Sequence, residues 1–359
     1  MLFLRSGLRV QIKFWRCDLQ LAHKWKISSG GNMGGVDVFP VALLQLTDKD
    51  GIIGLGESAP SSRYREDVAG SLDFFAKLDV RQLSFDNIAA STQYVEKLAP
   101  GQFAAKSAVN VALLDGASRK AGKSLHDYLG LEFREQQHVT SFSIGIDRPD
   151  VIRLKVQAAE AYPILKLKLG SPDDRANFAA LREIAPKKLV RVDANEGWKT
   201  KEFALEMIKW LAADGNVQFV EQPISATANP RDFAWLKERS LLPIFADESY
   251  LDAADAQFCA ESFHGVCVKL SKAGGVTRGL EALRAARKVG LKTMLGCMIE
   301  SSVLVSAAAH LAALTDYLDL DGNLLITNDP YSGVTAKKGM LSFANAPEKF
   351  GLQVKAKPA

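Results

Sequence analysis

The sequence predicts an α/β protein: a modified (β/α)7β barrel of the TIM type preceded by an N-terminal α+β capping domain. Three observations carry that expectation. From residue 138 onward, short apolar strands alternate with helical segments, the pattern of parallel βα units. Before that point strands come first and helices after. Three successive strand ends of the second part each carry an acid, Asp193, Glu221 and Asp247, spaced by 28 and then 26 residues, about one βα unit each.

The N-terminal unit opens with strands around 9–21 and 36–48. The second of these, Val36 to Leu46, is β-branched and apolar. Asp48-Lys49-Asp50-Gly51 signals a turn, and 52–57 returns as a third antiparallel strand. The first two strands are separated by Ser28 to Gly35, with four glycines in eight residues, and a second loop runs from Ser58 to Arg65. Apolar residues at three- and four-residue spacing then predict helices over 66–78, 85–98 and 103–121. The last is rich in small residues across 104–116 and suits close packing. This capping domain is taken as 1–130, the barrel as 131–323, and 324–359 as a segment returning to the first domain.

Barrel strands are expected at about 139–146, 164–169, 189–194, 217–222, 243–248, 265–270, 292–298 and 317–321, with seven helices between them. A doubly wound open sheet is the alternative, but no glycine-rich phosphate loop follows the first strand.

The composition is that of an ordinary globular chain of 359 residues, long enough for one large and one smaller domain. Lys+Arg 45 against Asp+Glu 41 leaves +4, too balanced for an electrostatic nucleic-acid binder. No apolar run is long enough to span a membrane. Cys17, Cys259, Cys267 and Cys297 form no CxxC pair, which argues against a disulfide framework or a zinc site and suits a reducing, cytoplasmic setting.

The stretch Leu165 to Gly170 alternates leucine and lysine, so Lys166 and Lys168 share one strand face and the leucines the other. An isolated KxK is commonly a surface edge strand. Here it lies between two helical segments, where both faces of a parallel strand are covered, and buried lysines then need anions. The acids supply them. Barrel enzymes place catalytic groups at the C-terminal strand ends. One strand-end acid is often a helix cap, but three in succession suit a hard cation, best Mg²⁺. Asn195 shares the face of Asp193. In Val266 to Ser271, alternation turns Lys269 toward the axis with Cys267, while Lys272 has the opposite parity and falls at the start of a loop. Lys168 and Lys269 would thus flank a substrate carbon from opposite sides. One removes a proton next to a carboxylate and the other returns one, inverting the centre, while the cation stabilises the charge that develops. Lys166, beside Lys168, is expected to lower that lysine's pKa and to contact the substrate carboxylate.

Lys166-x-Lys168, Asp193-x-Asn195, Glu221-Gln222-Pro223, Asp247-Glu248-Ser249 and Lys269 together resemble the muconate-lactonizing subgroup of the enolase superfamily, over nearly the whole chain. The resemblance implies a lysine or histidine base working with Mg²⁺. None of the five histidines sits at a plausible catalytic strand end, which disfavours the mandelate-racemase-like subgroup. Asp319-Leu320-Asp321 resembles the DxD motif of dipeptide epimerases, and Gly296 to Ser302 resembles the same enzymes. The resemblance implies that Asp319 and Asp321 hold a dipeptide's α-ammonium, that Ser143 and Glu300 contact substrate, that one Mg²⁺ binds per subunit, and that the protein is a homo-oligomer. Epimerases of Ala-Glu carry an arginine in the first capping loop; Ser28 to Gly35 has none, and Arg63 or Arg65 would have to substitute. An o-succinylbenzoate synthase or cycloisomerase of the same superfamily, and a non-catalytic barrel acting as a binding protein, remain alternatives.

Overall fold

The computed structural model describes residues 10–29 and 35–358. Most of the predicted glycine-rich loop, residues 30–34, lies outside the described residues. Strands β1 (Val10–Trp25), β2 (Val36–Asp48) and β3 (Ile53–Ser58) form an antiparallel sheet in that order. The β2–β3 turn closes where Asp48 Oδ1 accepts the Asp50 and Ile52 amides, both at 2.9 Å. Helices α1 (Val68–Ala76), α2 (Ile88–Leu98), α3 (Phe103–Lys120) and the short α4 (Leu125–Tyr128) follow.

The small residues of α3 have a direct purpose. A Cβ at Gly54 would stand 2.0 Å from the Ala112 carbonyl oxygen, and one at Gly56 would stand 1.9 Å from that of Ala108. Helix and strand meet backbone to backbone there, which no larger residue allows. The start of α3 is capped by Glu66, whose carboxylate accepts the amides of Phe103 (2.6 Å) and Ala104 (2.9 Å).

The second part holds parallel strands β4 (Phe142–Ile144), β5 (Ile164–Lys168), β6 (Leu189–Asp193), β7 (Val217–Glu221), β8 (Ile244–Ala246), β9 (Gly265–Lys269), β10 (Lys292–Gly296) and β11 (Tyr317–Asp319). They pair in sequence order, and a parallel bridge between Thr140 and Leu318 closes the ring. A doubly wound sheet would reverse its order, so the barrel expectation holds. Helices α5 (Pro149–Ala158), α6 (Asp174–Ile184), α7 (Lys201–Ala212), α8 (Pro230–Arg239), α9 (Ala256–Ser262), the one-turn α10 (Leu270–Ala273) with α11 (Val276–Lys288), and α12 (Ser302–Ala309) cover the outside. Among the described residues, no helix is long and apolar enough to cross a membrane.

Strand alternation divides the side chains as predicted. Leu165, Leu167, Val190, Val192, Val220, Val266 and Val268 pack outward in the main core. Full burial of such a side chain stabilises the fold by about 1.5–3 kcal/mol. Inside the ring, Phe219, Phe245, Cys267 and Met294 form a separate apolar floor, with the two phenyl rings stacked at 4.3 Å.

Several contacts fasten the first part to the barrel mouth, two of them close to the acids and to α12. Glu57, at the end of β3, accepts hydrogen bonds from the Ser301 amide (2.8 Å) and hydroxyl (2.5 Å), and so caps α12. Ser28 donates its hydroxyl to the carbonyls of Ala194 (2.5 Å) and Asn195 (2.9 Å). The last segment touches both parts. Thr327 N bonds Gln20 O at 2.8 Å, Leu352 N bonds Asp115 Oδ1 at 2.8 Å, and Val139 bridges Met340.

Candidate active site

The C-terminal ends of β5 to β9 gather four buried lysines and four buried acids. Asp193 stands beside Glu221 in register, and Lys168 beside Asp193. Lys168 Nζ lies 2.7 Å from Asp193 Oδ2 and 6.0 Å from the centre of the Trp25 ring. Across the barrel, Lys269 Nζ lies 2.6 Å from Asp247 Oδ2. Lys272 reaches the other oxygen, Oδ1, at 2.7 Å. Sequence parity placed Lys272 in a loop. Instead α10 turns its side chain back beneath the β8 end, where it also donates to the Cys267 carbonyl at 3.1 Å.

The backbone turns sharply behind the acids. Asn195, Glu196 and Gln222 have positive φ of 41°, 65° and 35°, a region costly for residues with a Cβ and often found at functional sites. Gln222 braces the next strand end, accepting the Asp247 (3.0 Å) and Ser249 (3.1 Å) amides.

Lys166 is wholly buried and does not line the cavity. Its amine lies 2.6 Å from Glu221 Oε2, 2.6 Å from Asp319 Oδ2 and 3.3 Å from Asp193 Oδ2. In this structure Lys166 pairs with the acids beneath the site. Its charge is met by three carboxylates, so it is no bare like charge beside Lys168. Burial alone would push the Lys166 amine toward neutrality, but Asp319 and Glu221 outweigh it and hold the pKa well above the ordinary lysine value. The same balance of burial against Asp247 keeps Lys269 raised.

The acids respond unequally. Burial, reinforced by Asp193, pushes Glu221 up to about 7. Burial would also raise Asp193, but Lys168 and Lys166 bring it below the usual carboxylate range. Burial and Asp247 push Glu248 well up. Among the described residues, several buried oxygens here have no hydrogen-bond donor: both of Glu221, Asn195 Oδ1 and Glu248 Oε2. The close approach of Lys166 to Glu221 is an ion contact without hydrogen-bond alignment. Unpartnered buried acceptors at three adjacent strand ends fit a hard cation. Glu221, Asp247 and the Cys267 thiol each bring one atom within 4.8 Å of the others. Asp193 is outside that tight group, its oxygens taken by the Asn195 amide (2.9 Å) and the two lysines. Burial holds the Cys267 thiol protonated, and sulfur suits Mg²⁺ poorly.

A cavity of about 360 Å³ opens over these groups. Lys168, Lys269, Asp247, Asn195, Ser143, Asp319 and Asp321 all line it, as does Glu248, which sequence reasoning passed over. Glu300 does not. It is buried behind the wall, accepting the Met298 amide at 3.0 Å. The capping part supplies a mixed roof, with Trp25, Ile27, Val38 and Phe39 beside Lys26 and Asp67. Arg63 reaches the cavity, but its guanidinium is held in a two-pronged pair with Glu196, at 2.5 and 2.8 Å. Arg65 does not line the cavity. Neither arginine is thus free to replace the one missing from the first loop.

A capped barrel with paired lysines and strand-end acids defines the enolase class, and the comparisons agree. Residues 22–130 match the mandelate racemase/muconate lactonizing enzyme N-terminal domain, and residues 151–352 match the enolase C-terminal domain-like family. The chain belongs to this family. It is 67% identical over 348 residues to a Pedosphaera parvula protein named L-Ala-D/L-amino acid epimerase, covering 97% of this chain and 100% of that one. It is 36% identical to a hydrophobic dipeptide epimerase of Roseobacter litoralis, with 96% and 99% covered. The crystal structure of a dipeptide epimerase from Cytophaga hutchinsonii, complexed with Mg and the dipeptide D-Ala-L-Val, superposes with a TM-score of 0.88 at 26% identity, covering 96% of this chain and 95% of that one.

Proposed function

We propose that this protein is a Mg²⁺-dependent dipeptide epimerase that inverts the α-carbon of the C-terminal residue by proton transfer between Lys168 and Lys269. The observation that carries the reading is the placement of those amines. They end β5 and β9, four strands apart in the ring of eight, and both face one cavity. Asp193, Glu221 and Asp247 would hold one Mg²⁺. When bound, the ion supplies positive charge for the negative charge that develops on the substrate's carboxylate. One lysine in its neutral form takes the α-proton from one face, and the opposite lysine, protonated, delivers a proton to the other. Asp319 and Asp321, at the cavity wall, suit a substrate ammonium, which an o-succinylbenzoate precursor lacks. With Arg63 held by Glu196, the apolar part of the roof, Trp25, Ile27, Val38 and Phe39, suits an apolar C-terminal residue, while Lys26 is the roof cation left for an acidic one. The four free cysteines are consistent with a cytoplasmic enzyme.

The test is incubation with a dipeptide library in D₂O with Mg²⁺. Deuterium is expected at the C-terminal α-carbon, and its appearance is lost in Lys168→Ala and Lys269→Ala. Absence of exchange with every dipeptide would overturn the reading.

A further inference from the structure

Asp319 and Asp321 both face the cavity, yet they are tied down differently. Asp319 Oδ2 receives the Lys166 amine at 2.6 Å. Its other oxygen, Oδ1, receives the Ser141 hydroxyl at 2.6 Å. Ser141 is itself held from below. Arg191 places Nη1 3.3 Å from the Ser141 hydroxyl and 2.5 Å from the Leu318 carbonyl, and gives Nε to Gln218 at 2.9 Å. The guanidinium lies over the Phe219 and Tyr317 rings at 5.5 and 5.2 Å, so its direction is fixed. Ser141, Lys166 and Arg191 are all buried.

Asp321 is held by neutral donors instead. Its Oδ2 accepts the Ser143 amide at 2.6 Å. Its Oδ1 has the weak Cys297 thiol contact, at 3.8 Å, and the Ser143 hydroxyl is a further donor to the carboxylate. No cationic side chain pairs with it among those residues, whereas Asp319 has Lys166. A buried carboxylate with no cation is the one that gains most from receiving one.

We propose that Ser141 and Arg191 are positioning residues that turn the Asp319 carboxylate inward onto Lys166, leaving Asp321 as the acid whose open oxygen receives the substrate's ammonium. This rests on the dipeptide reading above and divides a pair that the sequence presents as equivalent. Asp319 then links the ammonium end of the cavity to Glu221 through Lys166. Asp321 carries the recognition.

The experiment compares L-Ala-L-Leu with its N-formyl derivative, which lacks the ammonium, using the Mg²⁺-loaded full chain. The wild type favours the free dipeptide. Asp321→Asn is expected to remove most of that preference, about tenfold or more in the ratio of kcat/KM values, the loss of one charged hydrogen-bond partner. The asparagine oxygen still accepts the Ser143 amide, so its NH₂ faces the ammonium. In a Ser141→Ala background the Asp321→Asn penalty is expected to shrink several-fold, because a released Asp319 can turn one oxygen into the cavity. Groups that do not act through one another would give additive effects. Additive effects would sink the positioning role. Loss of the preference in Asp319→Asn but not in Asp321→Asn would reverse the assignment. A wild type that turns over both dipeptides equally would defeat the ammonium reading itself, and one that exchanges no dipeptide of the library would defeat the proposed function.

Discussion

Lys272 and Asp247 form a buried ion pair, Nζ to Oδ1 at 2.7 Å, that ties the helix after β9 to the acid after β8. Lys269 holds the second oxygen of the same carboxylate at 2.6 Å. One amine is exposed to the cavity's reach and the other is not, since only Lys269 lines it. Lys272→Met leaves a buried carboxylate short of a partner. Breaking such a pair by removing one side costs about 3–5 kcal/mol. Urea unfolding should show that loss, and calorimetry should show weaker Mg²⁺ binding as Asp247 loses its fixed orientation.

Each lysine is expected to serve one face. Arginine keeps the charge but does not give up a proton near neutral pH. Lys168→Arg and Lys269→Arg should each lower epimerisation by about 10²–10⁴-fold, the range for loss of an acid–base group. Each variant should still exchange the α-proton of only one epimer, and the two should select opposite epimers. Proton NMR of both epimers in D₂O reads this directly.

Releasing Arg63 should change substrate preference. Its guanidinium is bound to Glu196, which also accepts the Ala226 amide at 2.7 Å. Glu196→Gln keeps an acceptor for that amide while weakening the pair. The ratio of kcat/KM for L-Ala-L-Glu over L-Ala-L-Leu should rise by about tenfold, as expected for one new charged hydrogen bond.

A histidine pair sets a pH limit away from the site. His126 Nδ1 and His310 Nδ1 share a hydrogen bond at 2.7 Å, and Phe343 stacks on His310 at 4.3 Å. Burial, with His126 beside it, lowers His310 to about 3. The unfolded imidazole takes a proton near pH 6.5 and the folded one does not, so stability is full above that value and falls as pH drops toward 3. By pH 5 the loss from this residue is about 2 kcal/mol. Urea unfolding of wild type and His310→Leu at pH 7 and pH 5 checks it. The wild type should lose more stability between the two.

Gly56→Ala should disrupt the capping part, because the added Cβ meets a backbone oxygen of α3 at 1.9 Å and no side chain can give way. Overpacking of that kind costs about 1–3 kcal/mol, and a rigid neighbour puts it at the upper end. Thermal unfolding followed by circular dichroism measures the drop.

Much of this arrangement was legible in the residue order, for a physical reason. A strand has period two, so Lys168, Asp193, Glu221 and Lys269 could be assigned to the inner face by alternation alone. Arg191 shares the face of Asp193 and carried the same signal, but an arginine between valines drew no attention without a visible partner. Alternation ends where the strand ends. That is why alternation puts Lys272, in the one-turn α10, at the start of a loop. Parity gives Lys166 its face but not its depth, because it reports direction and not distance from the cavity. The commitment of Arg63 to Glu196 spans 133 positions, and no local pattern reports such a pair.

Glu57 belongs to one lobe and caps a helix of the other, and the loop it secures carries Met298 and Ile299 into the cavity wall. Chimeras that graft a relative's first lobe onto this barrel must therefore carry a carboxylate at the matching position. Without it the hybrid inherits a frayed α12 and a displaced wall. The lobe that selects substrates is not an interchangeable cassette, and its choice of side chain is partly written in the barrel's own seventh loop.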